Sequence, residues 1–123
     1  MIKAVIIDDE QNNIDNLKSL LKQYCVEVEI SGTAINATEG REIISHYNPD
    51  IVFLDIQMPG ENGFELLQSL STYSFEVIFV TAFDQYGIKA VQFAALDYLL
   101  KPIYIIESKI PVKNVVDKKE KRR

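Results

Sequence analysis

Four short apolar runs, each closed by a polar residue with reactive chemistry, constrain the fold of this chain more than any other feature. Residues 3–7 (Lys-Ala-Val-Ile-Ile) lead into Asp8-Asp9, Ile51–Leu54 into Asp55, Val77–Val80 into Thr81, and Tyr98–Leu100 into Lys101. Runs of this kind fit strands buried on both faces, as in parallel sheets. Between them the apolar period changes. Ile14, Leu17, Leu20, Leu21 and Tyr24 recur at three- and four-residue spacing and mark one face of a helix. Val26, Val28 and Ile30 alternate with Glu27 and Glu29, which predicts a half-buried strand. Asn36 with Glu39 three residues later resembles a capping box, opening a helix lined by Ala37, Gly40, Ile44 and Tyr47. Asn48-Pro49 ends it, because proline disfavours a helical residue before it. Phe64, Leu67 and Leu70 suggest a short helix after a loop at 58–63, and residues 85–95 fit a helix with Ile88, Val91 and Ala95 inward. Strand and helix alternate throughout. The expected fold is doubly wound α/β, with a five-stranded parallel sheet and helices on both faces. A closing helix after Lys101-Pro102 is poorly encoded. Pro111 falls in its interior, where proline costs about 3 kcal/mol, so that helix is expected to be short or broken.

Composition removes whole classes of function. A lone cysteine, Cys25, forms no internal disulfide, and it reads as a small buried apolar residue. With one Cys and one His, a zinc site would have to be mostly carboxylate. A Ser-His-Asp or Cys-His site has only His46 to use, and His46 reads as a helix surface residue. No stretch approaches the roughly 20 apolar residues of a membrane span. The N-terminal apolar run stops at two acids, unlike a signal peptide. The expectation is a soluble cytoplasmic protein with no membrane partner. The formal net charge of −5 is divided unevenly: residues 118–123 carry +4 and residues 1–117 carry −9. An acidic body repels nucleic-acid phosphates, and the basic end reads as a solvated terminus or linker.

The strand ends carry the chemistry. Right-handed crossovers bring the carboxyl ends of parallel strands to one edge, where such sheets bind ligands. Asp8, Asp9, Asp55, Thr81 and Lys101 should therefore converge. Three carboxylates at close range repel one another unless a cation sits among them, and an all-oxygen site suits Mg²⁺. Lys101 supplies a compact charge for a phosphate oxygen. Three acids, one divalent ion and one lysine sum to zero, so a phosphoryl group meets no uncompensated charge. A carboxylate is also a phosphoryl acceptor. Asp55 stands alone after the most apolar run and is the natural nucleophile, with Asp8-Asp9 as metal holder. Capping of the first helix is the competing reading of Asp8-Asp9.

Taken together, Ile6-Ile7-Asp8-Asp9-Glu10, Val52-Phe-Leu-Asp55-Ile-Gln57-Met-Pro-Gly60, Val80-Thr81-Ala82 and Asp97-Tyr98-Leu-Leu-Lys101-Pro102 resemble the receiver domain of a two-component response regulator, over residues 1 to about 105. The stretches Thr81-Ala-Phe-Asp-Gln-Tyr and Ala95-Leu-Asp-Tyr-Leu-Leu-Lys-Pro-Ile further resemble receivers that precede a LytTR-type (LytR/AlgR-like) DNA-binding domain. The resemblance implies a flavodoxin-like fold and a phosphorylation switch. In it Asp55 accepts a phosphoryl group from a sensor histidine kinase. Asp9 and Asp55 bind Mg²⁺ directly, Asp8 through water, and Gln57 through its backbone carbonyl. Lys101 and Thr81 contact the phosphoryl group, Tyr98 is an aromatic switch, and Lys101-Pro102 is commonly cis. Gln57 and Phe83 fall where family members tune dephosphorylation.

The resemblance sets the expected organisation at 1–110 for the receiver and 111–123 for a basic tail or linker stub. It implies a homodimer on phosphorylation, and DNA contact only through a downstream domain outside this sequence. The sequence is thus expected to be part of a longer regulator rather than a stand-alone receiver. A Mg²⁺-dependent aspartyl-phosphate phosphohydrolase is the alternative. Such enzymes usually place a second acid two residues after the nucleophile, where this chain has Gln57. A flavodoxin-like cofactor binder would want a hydroxyl- and glycine-rich loop after the first strand, where this chain has Asp8-Asp-Glu-Gln.

Overall fold

A computed structural model describes residues 1–70, 72–81 and 97–100; for 81 and 97–100 it gives strand path and register. The elements run β1 (Ile2–Ile7), α1 (Gln11–Tyr24), β2 (Val28–Ala34), α2 (Ala37–Tyr47), β3 (Ile51–Asp55), α3 (Gly63–Ser69), β4 (Glu76–Thr81) and β5 (Asp97–Leu100). The five strands form one parallel sheet in the order β2-β1-β3-β4-β5. This is the expected doubly wound sheet. The expected 85–95 helix, the Lys101-Pro102 bond, the broken last helix and the 111–123 tail lie outside the described residues.

Both faces of the sheet are buried, which is why the central runs are continuously apolar. On one face Ala4 and Ile6 of β1, Phe53 of β3, and Ile78 and Val80 of β4 pack with Ile14, Leu17 and Leu21 of α1. On the other, Val5, Ile7, Val52, Leu54, Val77 and Phe79 meet α2 and α3 through Ala37, Phe64, Leu66 and Leu67. Phe64 lies edge-on to Phe79 with ring centroids 5.1 Å apart. Cys25 is buried and His46 is exposed, as expected. Among the described residues no helix is long and apolar enough to cross a membrane.

Three local expectations are corrected. Val26 is outside the strand and 71% exposed, because Cys25 N–H bonds to the Leu21 carbonyl and Val28 N–H to the Cys25 carbonyl, turning the chain before β2 begins. β2 instead runs on to Ala34, and its register against β1 slips: Ala4 faces Ile30 but Val5 faces Gly32, so Ser31 is an extra residue. At α2, Asn36 Oδ1 accepts from Glu39 N–H at 2.8 Å as a cap should, but the Glu39 carboxylate accepts from Ile35 N–H and Asn36 Nδ2 rather than from the Asn36 backbone N–H. A full reciprocal capping box forms one helix later, between Asn62 and Glu65 of α3. Asn48 ends α2 in the left-handed conformation, with φ 48°, which its short polar side chain tolerates.

Candidate functional site

The register of the three central strands builds the site. Ile7 is level with Leu54, and Asp55 is level with Val80. Asp8 follows β1 by one residue and continues its ladder, donating its N–H to the Ala34 carbonyl at 3.0 Å. Asp8, Asp9 and Asp55 thus meet at the carboxyl edge of the sheet, each offering a carboxylate oxygen within 4.8 Å of the others. Asp8 is 3% exposed and Asp55 4%, while Asp9 is half-buried.

Local hydrogen bonds orient the two buried acids in the same manner. Asp8 Oδ1 accepts from Glu10 N–H at 3.0 Å, and Asp55 Oδ1 accepts from Gln57 N–H at 3.2 Å. Each is an Asx turn, a side chain bonded to the backbone two residues on. Asn13 Nδ2 reaches both Asp8 Oδ1 and Glu10 Oε2. The N-cap of α1 is Glu10, with no side-chain cap bond. Asp8 accepts from the N–H of that cap residue.

The chain after Asp55 folds back on itself. Gly63 N–H donates to the Ile56 carbonyl at 3.0 Å and Glu61 N–H to the Pro59 carbonyl at 3.1 Å. α3 begins hard against the end of β3: a Cβ on Gly63 would lie 2.5 Å from the Asp55 carbonyl oxygen. From α2, Arg41 Nη1 pairs with Glu61 Oε2 and reaches Ser69 Oγ at 3.3 Å. The hydrogen bond to Glu61 holds the Arg41 guanidinium above its ordinary pKa.

Three carboxylates this close repel, and burial of two of them withholds the water that would screen them. A cation relieves both terms. The donors are hard oxygens only, the ligand set that suits Mg²⁺, and Asp8, Asp9 and Asp55 bring theirs within 4.8 Å of one another, so these residues could hold such an ion. Of the remaining sequence candidates, Thr81 ends β4 level with Leu100, and Tyr98 pairs with Phe79. Lys101 follows the last residue of β5 and lies outside the described residues. Asn13, Arg41 and Gly63 belong to no motif or apolar period of the sequence. Asn13 stands four residues after Asp9, in the first turn of α1.

A family model described as the response regulator receiver domain matches residues 4–109. An uncharacterized response regulatory protein of Vibrio cholerae is 47% identical over 104 residues, covering 84% of this chain and 44% of the relative. The transcriptional regulatory protein BtsR of Escherichia coli K12 is 44% identical over 104 residues, covering 84% of this chain and 43% of BtsR. A crystal structure of a response regulator receiver domain protein from Clostridium thermocellum superposes with TM-score 0.86 at 29% identity, over 100% of both chains. The chain thus spans under half the length of these two curated relatives.

Proposed function

Since this chain belongs to the response regulator receiver domain family, we propose that Asp55 is the residue through which it receives its signal, as an aspartyl-phosphate. The chain is the receiver domain of a two-component response regulator, a signalling switch rather than a metabolic enzyme. The observation that carries the role of Asp55 is the meeting of three carboxylates, two of them buried, at the carboxyl edge of a parallel sheet.

In the proposed reaction an Asp55 oxygen attacks the phosphorus of a phosphohistidine on a sensor histidine kinase. The new O–P bond forms as the P–N bond breaks, and the imidazole leaves with a proton. Asp9 and Asp55 would hold Mg²⁺, with Asp8 acting through water and the Gln57 backbone carbonyl completing the protein's ligands. When bound, Mg²⁺ supplies charge neutralisation for the incoming phosphoryl group. Lys101 binds a phosphoryl oxygen, and Thr81 donates its hydroxyl to another. Tyr98, on the strand beside Thr81, turns as Thr81 moves and reshapes a partner surface. Hydrolysis of the aspartyl-phosphate by the same site resets the switch.

The wider proposal follows the relatives. BtsR is a transcriptional regulatory protein more than twice the length that this chain matches. Together with the LytTR-like stretches after Thr81 and Ala95, this supports a cytoplasmic regulator in which residues 1–110 form the receiver and 111–123 begin a linker. A downstream DNA-binding domain would act on transcription, with homodimerisation on phosphorylation. Incubation with acetyl phosphate and Mg²⁺ tests the central step: intact mass should rise by one phosphoryl group, and chelator should prevent it. An unmodified wild-type chain would sink the reading.

The crowding of the acids gives a second expectation. Without metal, Asp9→Asn removes one repelling charge and should raise stability by about 1 kcal/mol, the scale of two unit charges 4 Å apart in water. Mg²⁺ should raise the melting midpoint of the wild type, because it binds only the folded site. Most of that rise should vanish in Asp9→Asn. Equal Mg²⁺ responses in a thermal titration would remove Asp9 from the ligand set.

A further inference from the structure

We propose that Arg41, on α2, is a positioning residue for the metal site, acting through the loop that follows Asp55. The inference rests on the receiver reading above and goes beyond it, because Arg41 touches none of the three acids.

The loop from Ile56 to Asn62 has one end fixed by β3 and the other by α3. Its inner limb matters chemically. Gln57 N–H holds Asp55 Oδ1, and the Gln57 carbonyl is the proposed backbone ligand. Its outer limb is half-buried at Glu61 and exposed at Pro59 and Gly60. Within the loop the bonds are short-range, Glu61 N–H to Pro59 and Gly63 N–H to Ile56. Arg41 adds a tie of a different kind. It comes from another element and grips Glu61 at the loop's far limb and Ser69 at the far end of α3. The Ser69 hydroxyl donates to the Leu66 carbonyl at 2.6 Å, so its oxygen is held in place to accept from Arg41. One guanidinium nitrogen, Nη1, thereby ties the loop at Glu61 to Ser69, the last residue of α3. The pair is about one-third exposed on each side, 33% and 31%, so its net contribution to global stability is small. Its contribution to the loop's position is separable from that. A loop free to shift carries the Gln57 backbone with it, and Gln57 is bonded to Asp55.

Charge makes the test decisive. Arg41 is a cation of α2 tied to the loop that follows one of the three acids. Acting only through space, it would weaken Mg²⁺ binding, and Arg41→Ala would tighten it. Acting by position, its removal weakens Mg²⁺ binding despite the lost repulsion.

The experiment titrates Mg²⁺ against the melting midpoint of wild type, Arg41→Ala, Arg41→Lys, the single reversals Arg41→Glu and Glu61→Arg, and the exchange that combines them. Acetyl phosphate labelling is followed in parallel at limiting and saturating Mg²⁺. Arg41→Ala should keep the metal-free midpoint near that of wild type and weaken apparent Mg²⁺ affinity roughly three- to tenfold, below the 10–100-fold typical of groups that contact a ligand directly. Labelling should slow at limiting Mg²⁺ and recover at saturation. Arg41→Lys, which keeps the charge, should recover part of the affinity, and the exchange should recover more than either single reversal. Unchanged or tighter Mg²⁺ binding in a folded Arg41→Ala chain overturns the proposal. If that chain does not fold, Arg41→Gln, which keeps the side-chain stem, carries the same two outcomes. A wild type that neither binds Mg²⁺ nor accepts a phosphoryl group overturns the receiver chemistry itself, and this proposal with it.

Discussion

Asp55→Asn should fold like the wild type and gain no mass from acetyl phosphate and Mg²⁺. The proposed reaction joins an Asp55 carboxylate oxygen to phosphorus as the acetyl phosphate O–P bond breaks and acetate leaves. A neutral amide oxygen is too weak a nucleophile for that attack. The fold should survive because Asn keeps the shape of Asp and can still accept the Gln57 N–H at the Oδ1 position, 3.2 Å in the wild type. Losing one of three crowded charges should raise metal-free stability a little, so failed labelling cannot be ascribed to unfolding. The measurement is intact mass, with circular dichroism on the same sample. An adduct of wild-type size in Asp55→Asn would move the acceptor to another acid, with Asp9 first to be examined, since it is the more exposed of the remaining pair.

Gly63→Ala should lower stability by about 3 kcal/mol, the upper end of the usual cost of inserting a methyl group into a packed site. Its Cβ would stand 2.5 Å from the Asp55 carbonyl oxygen and 3.2 Å from Ile56 Cα. Both are backbone atoms of the strand end that presents the acceptor, so neither can rotate away. Relief requires α3 to retreat, which stretches the Gly63 N–H bond to Ile56 and loosens Phe64 against Phe79. Gly60→Ala is the matching control. Gly60 has φ 82° and open space around its Cβ position, so it should lose only the backbone cost of a left-handed residue, about 1 kcal/mol. Urea midpoints of the two variants compare these effects. Equal losses would mean that the contact at Gly63 yields more readily than its backbone partners allow.

Much of this was written in local patterns. The apolar runs before Asp8, Asp55 and Thr81 each became a strand, because residues buried on both faces leave no polar alternation. The topology rule for parallel sheets then brought Asp8, Asp9 and Asp55 together without any contact being known. Boundaries were less legible. Val26 continues an alternating pattern, yet hydrogen bonds on either side of Cys25 turn the chain there. Leu66 lies off the row of Phe64, Leu67 and Leu70 but is fully buried, since a helix wedged against a sheet covers a stripe wider than one row. Gly63 looked like loop composition, and its reason is a steric approach to a backbone eight residues earlier. Arg41 and Glu61 are twenty residues apart and carry no periodicity. Such pairings arise from how α2 and α3 are laid on the sheet, which no local window contains.

The extra residue at Ser31 has a consequence for how the molecule behaves in company. β2 is the outermost strand on its side of the sheet, and its far edge is a row of main-chain donors and acceptors. A straight row of that kind is a template on which strands from neighbouring molecules can add, the start of edge-to-edge aggregation. The bulge breaks the even spacing of the row midway and adds local twist. An approaching strand can match the ladder before Ser31 or after it, but not across it. A slip of one residue thus leaves the outer edge of β2 a poorer template for an added strand than an even ladder would be.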